Sequence, residues 1–174
     1  MDRYHSPFPL PDEHMRMLGI IATQWEWVEQ LLGNAIAEIM EHKPDRVAIL
    51  TANVGFHQKC DILKAYARTF QEDDPPAWSR FNQTITTLKD AYSARNRFIH
   101  AKWQLLDGQM RRTEVRTHGG KFTIANDPTP ISELNAAAQQ IVDAAEAFIA
   151  FVRPYGILCT SSALPAPTPS GGSG

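Results

Sequence analysis

Arg95, Asn96 and His100 fall within six residues of one another. On a helix of 3.6 residues per turn Asn96 and His100 stand one turn and about 40° apart, with Tyr92 and Trp103 extending the same line. Arg95 precedes His100 by about 7.5 Å along the axis and leaves the helix at the border of its apolar stripe, where a charged group needs a partner or a ligand. The chemistry open to this set is RNA cleavage without a metal. That reaction needs a base of near-neutral pKa to take the 2′-hydroxyl proton and a fixed cation to stabilise charge building on the phosphorane. Histidine supplies the first and arginine the second. Asn96 can hold the imidazole or donate to a phosphate oxygen, while Arg97 and Lys102, with Arg112 and Arg116 further on, can position the RNA backbone by charge. One helix face offers a single histidine. A general acid for the leaving 5′-oxygen has to come from elsewhere, and a two-fold dimer would bring a second copy.

A competing account makes Arg95 a structural tie to Glu26 or Glu29 of the first helix, with His100 bonded to backbone. His57, Cys60 and Asp61 share another helical face and could hold a metal or activate a thiol, but three donors from one helix need more from elsewhere. The plainer reading is a polar helix edge with Cys60 as a small hydrophobe. His5, His14, His42 and His118 fit no ligand spacing, and neither a P-loop nor a G-x-S-x-G elbow is present. No metal site and no cofactor are expected.

Four helices are expected to position these groups. Leu18, Ile21, Trp25, Val28, Leu32, Ile36 and Ile39 predict one from about Asp12 to His42, ended by Pro44. A second, from about Asp45 to Phe70, is weakened in its middle turn by Gly55. Trp78, Phe81, Ile85, Leu88, Tyr92, Arg95 and Ile99 predict a third to about Trp103, and Leu134, Ala138, Ile141, Ala145, Phe148 and Val152 a fourth from about Ile131 to Val152. Between the last two, Arg111 to Thr117 and Lys121 to Ala125 flank His118, Gly119 and Gly120 as one β-hairpin, with Arg112 and Arg116 on one face and Arg111 on the other. The expected fold is all-α, an antiparallel four-helix bundle over 12–153 with a short hairpin between the third and fourth helices. Residues 1–11 form an extension. Residues 154–174, rich in Pro, Ser and Gly, form a disordered tail ending in what resembles an appended linker.

The 174 residues carry a net charge of −2, with 43% hydrophobic residues and two cysteines. This excludes a collagen, a coiled-coil rod and a disulfide scaffold. Charge is unevenly spread. Lys89 to Lys121 holds eight basic and three acidic residues, whereas the rest holds nine and sixteen. A local anion site fits this better than a nucleic-acid coat. No apolar run suits a signal peptide or a membrane span, so a cytoplasmic protein is expected. Trp25, Trp27, Trp78 and Trp103 supply more aromatic surface than four helices easily hide, which favours self-association.

Arg95, Asn96, three intervening residues and His100 resemble the R-x(4–6)-H motif, with a polar residue after the arginine, of HEPN domains. The architectural resemblance covers roughly Asp12 to Arg153, the motif only six residues. It implies a homodimer in which two motifs face each other in a cleft and cut RNA without a metal, leaving a 2′,3′-cyclic phosphate. Arg95 and His100 would be catalytic and Asn96 supporting. Many such proteins are toxins or defence effectors, which implies an antitoxin or other protein partner. The alternative is a catalytically silent helical module that binds a protein partner.

Overall fold

Apolar stripes at three- and four-residue spacing wind into helices that share one core. The computed structural model describes residues 10–118 and 121–157, without the side chains of 44, 45, 114–118 and 121–123. In chain order the elements are α1 (Asp12–Ile39), α2 (Pro44–Thr51), α3 (Phe56–Arg68), α4 (Pro75–Ile99), β1 (Lys102–Leu106), β2 (Gln109–His118), β3 (Lys121–Pro128) and α5 (Ile131–Val152), followed by a 3-10 turn at Arg153–Tyr155. α5 lies along both α1 and α4. Its buried Ala137, Ala138, Ala144 and Ala145 keep those interfaces thin, since interaxial distance follows the size of the side chains between helices. Ile21, Leu32, Ile36, Val47, Cys60, Leu88, Leu134, Ile141 and Phe148 close the core.

The four-helix bundle with a short hairpin is not what forms. Among the described residues there are five helices and a three-stranded antiparallel sheet in the order β1-β2-β3. The helix expected over 45–70 is two, because Gly55 takes an extended conformation (ψ 162°) and its N–H donates to Gln58 Oε1 at 2.9 Å, starting a new helix. The helix expected to reach Trp103 stops at Ile99, with His100 already out of helical geometry at φ −99°, ψ 6°. Lys102 to Leu106 instead pairs with β2, from Lys102↔Thr113 to Leu106↔Gln109. The turn between them puts Asp107 (φ 51°) and Gly108 (φ 73°) in the left-handed region. A two-residue Asp-Gly loop of this type has the twist that joins antiparallel strands.

Other expectations fall where the periodicity puts them. α4 begins on Pro75 with Asp74 as its cap, accepting from the Ala77 N–H at 2.9 Å, and α5 spans Ile131–Val152. β2 and β3 pair from Arg111↔Pro128 to His118↔Lys121; Gly119 and Gly120 lie outside the described residues. So do residues 1–9 of the expected extension and 158–174 of the expected tail. Among the described residues no helix is long and apolar enough to cross a membrane. The tryptophans are more hidden than the sequence suggests: Trp25 is in the core, and Trp27, Trp78 and Trp103 are packed partly against it. The most exposed large apolar side chains are Ile49 (76%) and Leu50 (65%) on α2 and Ile124 (70%) on β3.

Replacing Leu88, fully buried at the centre of α4, by Ala removes core packing and leaves a cavity. Urea unfolding is expected to show a loss of about 2–5 kcal/mol for Leu88→Ala and less than about 0.5 kcal/mol for Ile49→Ala on the surface.

Candidate active site

Two turns of α4 and the residue that ends it build the site. Arg95 and Asn96 are half-buried, and His100, the C-terminal cap, is exposed. Because the helix ends at Ile99, the His100 ring folds back along it instead of projecting from a further turn. Arg95 NH1 lies 3.0 Å from His100 Nε2 and donates to Asn96 Oδ1 at 2.8 Å. A guanidinium carries donors and no acceptor, so the short contact requires Nε2 to present its lone pair. As a hydrogen bond, this contact goes with the tautomer that carries its proton on Nδ1. His100 is held as a base, with its lone pair directed at a cation.

Among the described residues no carboxylate forms a salt bridge with Arg95. Glu29 is paired with Lys59 and also accepts from Trp25 Nε1 at 3.3 Å. The tie from Arg95 to Glu26 or Glu29 therefore does not form. Arg95 Nε is buried without a hydrogen-bond partner. A half-buried guanidinium with an unsatisfied donor and only neutral partners is a site that an anion would stabilise.

The sheet locks the end of the helix behind this pair. Trp103 Nε1 donates to the Phe98 carbonyl at 3.2 Å and Arg112 NH1 to the Arg97 carbonyl at 3.4 Å, which occupies carbonyls the last turn leaves open. The Arg112 guanidinium also lies 5.5 Å from the centre of the Phe98 ring. Cations at a helix C-terminus are favourable, since the carbonyl ends carry partial negative charge. On the far side, His14 contacts the Thr129 carbonyl at 3.2 Å and the Trp103 ring edge-on at 6.2 Å, tying the sheet to α1.

The structure brings Arg95, Asn96 and His100 together but does not gather the expected phosphate-binding residues around them. Arg112, at 6% exposure, is turned inward onto Phe98 and cannot reach a polynucleotide without leaving that place. The sequence alternation groups it with Arg116, whose side chain lies outside the described ones. Arg97 is exposed but on the opposite side of α4, lining a cleft with Asp90, Ser93 and Glu133. Lys102 is exposed on β1, two residues beyond His100. The constellation on α3 separates as well. Cys60 is sealed in the core, and burial, opposed by Lys89, pushes its thiol up to about 12. It is the small hydrophobe the sequence suggests and not an activated nucleophile. His57 turns outward, against Tyr92. Among the described residues no group of three His, Cys, Asp or Glu side chains could hold a metal ion.

Comparison with protein-family models, with curated proteins and with solved structures finds no match.

Arg112→Ala is expected to lower stability by about 1–3 kcal/mol in urea unfolding, whereas Lys102→Ala leaves it unchanged within about 0.5 kcal/mol. Cys60 is expected to resist iodoacetamide at pH 8 in the folded protein and to react readily in denaturant. The raised folded-state value also fixes a sign. The unfolded thiol ionises near 9 and the folded one near 12, so this group's contribution to stability falls as pH rises across that window. Cys60→Ala should remove that part of the alkaline slope.

Proposed function

We propose that this chain is a metal-independent endoribonuclease of HEPN type, working as a cytosolic homodimer in the role of a toxin or defence effector. What supports this reading is one observation: an exposed imidazole in contact with a guanidinium that, among the described residues, has no carboxylate partner. A base and a cation in contact are what 2′-hydroxyl attack on a phosphodiester uses.

In the proposed reaction the 2′-hydroxyl replaces Arg95 as donor to His100 Nε2 and loses its proton there. The 2′-oxygen forms a bond to phosphorus as the bond to the 5′-oxygen breaks, giving a 2′,3′-cyclic phosphate and a free 5′-hydroxyl. Arg95, released from the imidazole and still held by Asn96, donates to the phosphorane oxygens as their charge grows. The 5′-oxygen takes its proton from His100 of the partner subunit, which enters protonated and with its own contact to arginine open. Lys102 adds charge for the RNA backbone. Arg97, on the other side of α4, and Arg112, under Phe98, have no part in it. A toxin of this kind is expected to have a protein partner that holds it in check.

Incubating the protein with total RNA in EDTA tests the reading. The wild type is expected to cut, and His100→Ala to reduce cleavage by a factor of about 10² or more. The circular-dichroism spectrum and melting temperature should stay unchanged, because His100 is exposed. Cleavage that survives in His100→Ala would overturn the proposal. A wild type that cuts nothing at any salt concentration would favour the silent module that binds a protein partner.

A further inference from the structure

A second histidine lies in line with the site. His57, in the first turn of α3, is exposed, and its ring meets Tyr92 edge-on at 4.9 Å with 78° between the planes. Tyr92 lies one turn before Asn96 on α4, so His57, Tyr92 and Asn96 form a row that leads to the His100 cap. Behind the imidazole the rings are closely packed: Phe56 stacks on Tyr92 at 4.6 Å and 17°, and Trp25 lies 5.4 Å from Tyr92. Trp25 and Phe56 are each only 4% exposed. His57 is thus the solvent-facing end of an aromatic stack whose other members are fixed by the core.

Its surroundings suit a base better than a phosphate. Asp61 follows one turn on along α3, and the neighbouring Lys59 is already paired with Glu29. Lys89, one turn before Tyr92 on α4 and near enough to Cys60 to act on its thiol, sets one cation against Asp61, so the nearby charges offset each other and what His57 offers a ligand is a ring backed by rings. Tyr92 and Asn96, which holds Arg95, are one turn apart, about 6 Å along α4. A base on His57 therefore belongs to a nucleotide flanking the one whose 2′-hydroxyl reaches His100.

We infer that His57, backed by Tyr92, is a stacking platform for an unpaired base beside the scissile phosphate, which makes the substrate class single-stranded RNA. The inference rests on the endoribonuclease reading and adds the subsite that selects the substrate. Aromatic stacking recognises any base through its π-face and requires the base to be out of a duplex.

The test uses the full chain and a short fluorescein-labelled single-stranded 2′-O-methyl oligonucleotide, which has no 2′-hydroxyl to attack. Fluorescence anisotropy is expected to show binding weakened about five-fold or more by His57→Ala and restored to within about two-fold by His57→Phe, which keeps a ring but no ionisable group. A duplex of the same sequence should bind both variants and the wild type alike. Equal affinity of wild type and His57→Ala for the single strand would overturn the platform while leaving the endoribonuclease reading intact. Failure of His57→Phe to restore binding would overturn stacking in favour of imidazole hydrogen bonding. A wild type that binds no single strand would overturn both readings.

Discussion

A guanidinium can only donate. The 3.0 Å contact between Arg95 NH1 and His100 Nε2 therefore fixes which imidazole nitrogen is bare, and the chemistry assigned to this surface depends on that constraint. A doubly protonated ring could not keep the contact, because two donors would face each other. Asn96 accepts from the same NH1, so the arginine is positioned by an amide and an imidazole, with no salt bridge among the described residues.

The rest of the molecule keeps that pair at the edge of the core. α1, α4 and α5 provide the packed body, and the sheet after α4 uses Trp103 and Arg112 to bond the last carbonyls of the helix. The turn out of the helix at His100 is thereby fixed, and the imidazole comes back alongside Arg95. The His100 N–H still donates to the Asn96 carbonyl at 3.4 Å, and a helix continuing to Trp103 would draw its carbonyl into the ladder as well. The early stop changes the geometry of the site and not only the fold. On the other side of the row, Trp25 and Phe56 fix Tyr92 from the core, which orders the surface around His57.

Much of this was legible in the sequence, and the misses have physical causes. Three- and four-residue spacing locates α1, α5 and the start of α4, since burying one face of a long helix leaves a pattern that local chemistry rarely disturbs. The spacing of Arg95, Asn96 and His100 gives the candidate residues, although their mutual bonds depend on where α4 ends. Gly55 marks the break between α2 and α3, but the apolar positions beyond it continue in phase and suggest one long helix. The end of α4 is hidden for a similar reason. Ile99 and Trp103 maintain the helical rhythm, and only Asp107-Gly108, a strong turn signal, shows that Lys102 to Leu106 must run back against β2. Arg112 eludes sequence reasoning because alternation tells which residues share a face of a strand and not which face is covered. Its burial under Phe98 follows from how the sheet caps α4, a long-range contact with no local signature.

The most direct measurement of the central interaction is a long-range ¹H–¹⁵N correlation spectrum of the histidine side chains at neutral pH, with His100 assigned by substitution. The account predicts that His100 is predominantly the neutral tautomer with its proton on Nδ1, and that Arg95→Met, which removes the donor, shifts the ring toward the Nε2-protonated form. A His100 ring that already carries its proton on Nε2, or whose resonances do not respond to loss of the arginine, would contradict it.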